Sequence, residues 1–563
     1  MYELILSKNC IKFPKKPSYL NEDFGFSKLA TEMLFAWSTL ADKYKNDKVY
    51  QKNFYSCLKT QLNEEQKNLS FPSDFENILL KMKSIKEKYA EEKKLYNKEH
   101  RKEIALEKAK EKEECGYALV DGVSMEIGNR LIESSRIFIG RGENSYRGCW
   151  VEEVKGSDIT INTSDKNYEC YDDNGIPCKI EFKPNTMSVA TYTEHVMCKN
   201  INIQKAIWFS NKSSFKADSD EEKFENARLL QINLKTVKKA IKDTFLSEND
   251  KKRQIGCCSY IISTFGIRAG NEDKRDNGVV GASTLKVENI ELYADTQEVH
   301  LKFLGKDSMM YDNTLKVDVD VLLPLWKCID GKSCKEQIFD KITSHDVNEF
   351  LNNICEDIPH LTGKLFRTTF GTSLLAEEIQ KRDWDNLTEK QFRNQYMDCA
   401  KVVTIKLNHK KTLTKEQNEK IDESTKKKIS RAKETFNKSK TSLEKKINKL
   451  NDLKADYEEC LEGSLLESKL REIEEQKKEL NFKFEEAKQK FKDTEKTVKN
   501  NSENREIALN TAMTSYSSPK VAYSLCKDTN HSPTSIYSKT LVERFNIWAN
   551  DVSTDYWKNY PNV

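Results

Sequence analysis

Two apolar series on either side of one glycine limit this chain's fold more than any other feature. Ile429, Ala432, Phe436, Ser439, Leu443, Leu450, Leu453, Tyr457 and Cys460 follow alternating three- and four-residue steps, with Lys446 the one polar step and Ile447 beside it. After Gly463 a second series runs Leu466, Leu470, Ile473, Lys477, Leu480, Phe484, Ala487, Phe491, Thr494 and Val498. Such steps keep one stripe facing a partner helix, and a glycine between two stripes lets the chain reverse. The reading is an antiparallel coiled-coil hairpin over 413–500, with arms of about 35 to 45 residues, roughly 50 to 65 Å long. An oligomerisation or partner-binding coil is the alternative. The hairpin can fill its own seam, however, and reads as a rigid spacer between a body and a small C-terminal piece.

Length allows two to four domains around this hairpin, since 563 residues supply ample chain for a core. Phe26, Leu29, Met33, Leu34 and Trp37 fall at helical spacing and predict a small globular unit before residue 80. Lys81 to Glu114 reads as one long, highly charged helix, either self-paired in solvent or lying along a polyanion. From Gly116 to about 205 short strands and turns follow, including Ile137-Phe138-Ile139-Gly140-Arg141-Gly142, whose glycines can bring backbone and an arginine close to a phosphate. The stretch 206–412 reads as predominantly helical, with helices over 225–245 and 253–265. Its insert of three strands covers 285–290, 299–303 and the residues after Ser308, with Lys306 at a hairpin tip. The expected domains are therefore 1–205, 206–412, 413–500 and 501–563, in an α+β chain.

Charge and cysteine use exclude some classes. Both signs are dense, yet the net charge is only +4, so a partner cannot be read from the total. No run approaches the roughly 18 apolar residues of a membrane helix, and Leu4-Ile5-Leu6 is too short for a signal peptide. Fifteen cysteines without such a signal point to reduced thiols inside a cell. No CxxC pair occurs and His195 with Cys198 is an isolated HxxC, so no metal site is expected; Cys257-Cys258 reads as core filler.

Beyond the hairpin, Ile507, Ala508, Leu509, Ala512 and Met513 suit a short buried helix that breaks at Ser515-Tyr516-Ser517-Ser518-Pro519. Ser518 as N-cap and Pro519 at the first helical position open the next helix and leave Tyr516 on an elbow. A tyrosine so presented can be a nucleophile, or a partly buried turn residue with a hydrogen-bonded hydroxyl. To attack a phosphodiester near neutral pH, it needs help with its proton and positive donors on the non-bridging oxygens. Four basic residues lie outside the solvated runs. They are Arg268 in Phe265-Gly266-Ile267-Arg268-Ala269-Gly270-Asn271-Glu272, Lys306 in Phe303-Leu304-Gly305-Lys306-Asp307-Ser308, Arg367 in Lys364-Leu365-Phe366-Arg367-Thr368-Thr369-Phe370, and His409 at the base of the coil.

Those segments, in that order, resemble the eukaryotic-type DNA topoisomerase I family, the type IB topoisomerases. RAGNE, FLGKDS, K-x-FRT, the Asn408-His409 pair, and ALxT…SYxxPK all match, and the resemblance covers nearly the whole chain. It implies a cap, a mostly helical catalytic core with a small antiparallel sheet, a coiled-coil linker and a small helical C-terminal domain, clamped as a monomer around double-stranded DNA. It implies that Tyr516 forms a 3′-phosphotyrosyl link, that Arg268, Arg367 and His409 stabilise the phosphorane, and that Lys306 protonates the leaving oxygen. Arg141, Asn271 and Asp307 become DNA-contacting positions. No cofactor, metal or ATP is implied. A tyrosine recombinase shares the chemistry, but the cap, the long hairpin and the FLGKDS form argue against it; an inactive DNA-binding or coiled-coil scaffold is the remaining alternative.

Departures from the family pattern matter as well. Where a basic run is usual after Gly140-Arg141-Gly142, this chain has Gly148-Cys149-Trp150-Val151-Glu152-Glu153-Val154, which implies a weaker grip by the cap. Ser515 replaces the usual asparagine before the nucleophile, at a position that helps hold camptothecin with those matching Arg141 and Asp307. Reduced drug sensitivity is implied. The charged N-terminal tail of nuclear members is absent and Lys426–Lys428 is a weak basic cluster, so a nuclear, cytoplasmic or viral setting stays open.

Overall fold

The computed structural model describes the chain except residues 1–2, 141–143, 185, 271–277, 307–308, 409–412, 414, 461–462, 504 and 563. Its segments gather into two compact units. Met1–Lys223, Ala269–Asp346 and Lys539–Asn550 form the first; Phe224–Arg268, Val347–Ser538 and Asp551–Val563 form the second. Helices and small, largely antiparallel sheets make the chain α+β. Among the described residues no helix is long and apolar enough to cross a membrane.

In the first unit, Ser27 caps the helix Lys28–Ser38 by accepting the Ala30 N–H, and the helix buries Met33, Leu34 and Trp37. Trp37 stacks on Phe54 at 4.5 Å, the centre of an aromatic core. The charged stretch that follows is two helices, Glu76–Lys94 and Lys98–Cys115, where the sequence suggested one. Its apolar residues make no continuous buried stripe to carry a helix through, and the Asn97 side chain starts a new one by accepting the His100 N–H at 2.8 Å.

Three sheets complete this unit. Leu4–Leu6, Tyr117–Val120 and Val123–Glu126 pair antiparallel in sequence order. A six-stranded sheet centres on Ser188–Val196, with Ile201–Trp208 on one edge and Trp150–Val151 and Ile159–Asn162 on the other; Ile159–Asn162 pairs parallel with Lys179–Glu181. The third sheet runs Ile290–Tyr293, Glu298–Gly305 and Met309–Lys316. Its first strand starts later than the pattern over 285–290 suggests. Asn289 accepts the Lys286 N–H with its side chain and holds a 3-10 turn, Val287–Asn289, while Leu285 is buried beside it. The segment Lys539–Asn550 belongs here through Arg544, whose guanidinium lies 3.5 Å from the buried Asp220; Lys216 and Lys223 pair with the same carboxylate at 2.5 and 3.3 Å.

In the second unit, Leu234–Phe245 packs on Asp250–Phe265, and Gly256 makes the crossing close: a Cβ there would lie 2.3 Å from the Phe245 nitrogen. The helix expected over 225–245 is divided at Asn233, whose amide donates to the Leu229 carbonyl and follows the end of Ser214–Ile232. Cys257 and Cys258 are fully buried, as core filler should be. Gly363–Gln380 runs through the middle of this unit against Glu389–Lys406.

The coiled-coil hairpin is present, with arms Lys415–Cys460 and Gly463–Glu503 of 46 and 41 residues, roughly 60 to 70 Å each. Gly463 takes φ +68, the left-handed conformation the reversal needs. Phe436 meets Phe484 and Phe491 at 6.1 and 5.5 Å across the seam. At the polar step the seam takes Ile447, and continues through Leu450, Lys454 and Tyr457; Leu453 is 41% exposed and faces out. That register keeps the three–four alternation unbroken, with Lys454 burying its aliphatic stem.

The sheet beneath Lys306 carries a titratable network. His300 lies 2.9 Å from Asp312 and 3.3 Å from Glu291; Lys302 also pairs with Asp312, and Tyr293 donates to Glu291. Asp312 above all holds the His300 imidazolium and raises its pKa from the ordinary 6.5, against partial burial. A raised folded value means that this contribution is fully present below about pH 6.5 and is lost as pH rises through the folded value. The stability difference between the wild type and His300→Asn should therefore be largest near pH 6 and shrink in mildly alkaline buffer. A pH-independent difference in denaturation midpoints would contradict this.

Candidate active site

Arg367 is the residue around which the second unit builds its polar centre. It lies a little over one turn into the helix Gly363–Gln380 and is only 6% exposed. Its Nη1 donates to the Gly266 carbonyl at 2.6 Å and its Nη2 to the Leu407 carbonyl at 3.0 Å. Each is a charge-assisted bond in a poorly solvated setting. The two carbonyls precede Arg268 and His409 by two residues each. Arg367 thus fixes the chain just before both. Gly266 itself takes φ +62 and ends the helix Asp250–Phe265, turning the chain so that Ile267 is buried and Arg268 emerges half-buried.

Tyr516 meets this centre from the elbow. The helix Leu509–Ser515 ends with the Tyr516 N–H donating to the Ala512 carbonyl, and Ser518 and Pro519 open the helix Pro519–Asp528 as the sequence suggests. The first helix is shorter than the apolar pattern from Ile507 implies. The ring of Tyr516 is 5.1 Å from the Arg367 guanidinium carbon, and Arg268 Nη2 lies 3.5 Å from its hydroxyl. The residue is 4% exposed, more deeply placed than an elbow alone suggests. Burial pushes its pKa up, but Arg367, then Arg268 and Lys364, pull it down further, and the hydroxyl ends more acidic than an ordinary tyrosine.

Two residues that the sequence reading passed over hold the elbow. A Cβ on Gly371 would stand 2.4 Å from the Tyr516 carbonyl oxygen, so only glycine lets the elbow lie on this helix. Next to it, buried Thr372 donates its hydroxyl to the Tyr516 carbonyl at 3.3 Å and accepts the Ser518 N–H at 3.2 Å. A mid-helix glycine in FRTTFGTS was the available signal for a close backbone approach. Lys364 was also missed as a contributor, although it sits one turn before Arg367.

The other expected site residues are placed differently. Lys306 belongs to the first unit and is exposed at the end of the strand Glu298–Gly305, paired across to Met309–Lys316, so its setting is a solvent-facing hairpin tip. His409, Arg141, Asn271 and Asp307 lie outside the described residues. Glu152 is exposed, and Glu153 pairs with Lys16 at 2.8 Å. Among the described residues no group of three or more His, Cys, Asp or Glu side chains is arranged to hold a metal ion.

Three family models match consecutive parts of the chain. They are the DNA binding fragment of eukaryotic DNA topoisomerase I over residues 13–203, its catalytic core over 212–443, and a C-terminal topoisomerase domain over 488–558. The chain belongs to the eukaryotic DNA topoisomerase I family. Among its relatives, DNA topoisomerase 1 alpha of Arabidopsis thaliana is 30% identical over 82% of this chain and 49% of its own length. The mitochondrial DNA topoisomerase I of Homo sapiens is 28% identical over 94% of this chain and 86% of its own. DNA topoisomerase 1 of Caenorhabditis elegans is 27% identical over 97% and 66%. This chain spans about half the length of the Arabidopsis relatives. Arg268, Lys306, Arg367 and His409 fall within the topoisomerase I catalytic-core match, and Tyr516 within the C-terminal one.

Removing the hydroxyl of Thr372 takes a donor from the buried Tyr516 carbonyl and an acceptor from the buried Ser518 N–H. Thr372→Val should lower stability by about 1–3 kcal/mol, with Thr372→Ser retaining most of it. Equal denaturation midpoints for Val and wild type would show that the elbow does not depend on this hydroxyl.

Proposed function

We propose that this chain is a type IB DNA topoisomerase, which relaxes positive and negative supercoils by transient cleavage of one strand of a duplex. The observation that carries this is the buried Tyr516 hydroxyl, held at Arg268 with its ring against Arg367 and made more acidic by both. In the proposed reaction the Tyr516 oxygen attacks a backbone phosphorus. The bond to the 5′-oxygen breaks, and a 3′-phosphotyrosyl link forms. Arg268 and Arg367, with His409, stabilise charge on the non-bridging oxygens. Lys306 gives its proton to the departing 5′-oxygen. The cut strand rotates about its partner, and the 5′-hydroxyl then attacks the phosphotyrosine and restores both groups. One phosphoester replaces another at each step, so ATP has no role. The protein's own cations supply the stabilising charge, and no step is routed through a metal.

In this scheme the working parts are a cap over 1–205, a catalytic core over 206–412, a linker over 413–500 and a C-terminal domain over 501–563, acting as a monomer on double-stranded DNA. The family membership and the coiled-coil hairpin support that assignment. Grip on the duplex is expected to be mainly to phosphate and therefore steeply salt-dependent. Relaxation of positively and negatively supercoiled plasmid should proceed in EDTA without ATP and vanish in Tyr516→Phe. Full relaxation by that variant would end the proposal.

Glu152 and Glu153 bear on the grip. Their reversal adds positive charge to the cap and also frees Lys16 from Glu153. The double variant Glu152→Arg, Glu153→Arg should bind duplex DNA more tightly at moderate salt, with a steeper dependence of log affinity on log salt. An unchanged slope would mean that this surface does not face DNA.

A further inference from the structure

We propose that Cys170 and Cys178 form an oxidisable dithiol, a modification site in the first unit that closes to a disulfide with a hydroperoxide as oxidant. The two residues face each other across a short hairpin. Tyr171 and Pro177 bridge antiparallel, and the flanking bonds run from the Cys178 N–H to the Cys170 carbonyl at 2.9 Å and from the Asp172 N–H to the Ile176 carbonyl at 3.0 Å. Residues so opposed have Cα atoms about 5.5 Å apart, inside the span a disulfide accepts.

The turn between them is held firmly. One oxygen of the Asp172 carboxylate accepts the N–H groups of Asn174 and Ile176, and the other accepts that of Gly156, each at 2.9 Å. A Cβ on Gly156 would come within 2.0 Å of the Ile176 carbonyl oxygen, so this glycine lets the hairpin lie flat on its neighbour. The thiols are therefore kept in register.

Their chemistry is divided between them. The neighbouring Cys178 thiol pulls the Cys170 pKa below the ordinary thiol value despite burial. Cys178 is correspondingly pushed up, first by Cys170 and then by burial. Cys170 is half-buried while Cys178 is 8% exposed. The more accessible sulfur is thus also the better thiolate, and Cys178 across the hairpin stands ready to resolve it. Cys10, fully buried and hydrogen-bonded to Tyr168, is raised to about 11 by burial and does not compete as the attacking group.

The steps balance. The Cys170 thiolate attacks the hydroperoxide, an S–O bond forms, the O–O bond breaks, and the alkoxide or hydroxide leaves with the proton the thiol gave up. Cys178 sulfur then attacks the sulfenic sulfur of Cys170. The S–S bond forms, the S–O bond breaks, and hydroxide leaves as water with the Cys178 proton. Two thiols are oxidised and one peroxide is reduced by two electrons.

The test uses the full chain, limiting hydrogen peroxide, and alkylation of the remaining thiols under denaturing conditions before peptide mass spectrometry. The exposed thiols Cys334 and Cys460 serve as internal controls. The expected result is loss of both Cys170 and Cys178 alkylation in step, in a cross-linked peptide lighter by two hydrogens, before the controls react. Dithiothreitol should restore both sites. Cys178→Ser should instead leave a sulfenic acid on Cys170 that dimedone traps. The proposal is overturned if both residues stay alkylatable while Cys334 and Cys460 oxidise, or if Cys170 pairs with Cys10.

Discussion

The polar centre of the second unit depends on one buried guanidinium. Arg367 gives two of its donors to carbonyl acceptors, and those carbonyls belong to segments 101 and 40 residues away in the chain. Its cost of burial is offset by charge-assisted bonds to both and by the face of the Tyr516 ring. The tyrosine hydroxyl registers that cation as a lowered pKa. The arrangement that closes the fold locally is the one that activates the candidate nucleophile.

Backbone economy makes that arrangement dense. Gly266 turns a helix end toward Arg367, and Gly371 removes the side chain that would keep the elbow away. Thr372 then bonds both the Tyr516 carbonyl and the Ser518 N–H inside the elbow. Three consecutive choices along one helix, Arg367, Gly371 and Thr372, therefore set the position of a residue some 145 positions later. Glycine and threonine do this through the backbone of Tyr516, while arginine acts on its ring.

The sequence is most readable where one periodicity governs many residues. The coiled-coil hairpin is such a case: two stripes and a glycine determine it, and the errors are one step of register, Lys446 and Leu453 against Ile447 and Lys454, and Cys460, which is exposed at the end of the first arm. Reading fails where a short polar side chain competes with the helix. Asn97 divides the charged helix, Asn233 divides its successor, and Asn289 turns the expected start of a strand, all through local side-chain bonds that hydropathy does not report. At the candidate site, Arg268, Arg367 and Tyr516 could be picked out because cations among apolar neighbours and a Ser-Pro helix start are local signals. Their convergence could not, because it rests on carbonyls, and every residue has one. Thr372 is illegible for the same reason.

The linker shares a helix with that centre. Lys390 donates to the Thr494 hydroxyl at 2.6 Å and Asn394 to the Thr497 hydroxyl at 3.0 Å, seating the base of the second arm on the helix Glu389–Lys406. Arg505 pairs with Asp422 and closes the two arms at the same end. The seam itself is only half-buried along most of its length, as any two-helix hairpin must be, so the hairpin is oriented more by these base contacts than by its own core. Leu407, whose carbonyl Arg367 holds, follows the other end of the helix, between three and four turns beyond Asn394. That helix of 18 residues also packs against Leu509–Ser515, the helix that ends at Tyr516. The second arm and the tyrosine are thus joined twice, through the covalent chain that leaves Glu503 for Leu509 and through the helix on which that arm is seated.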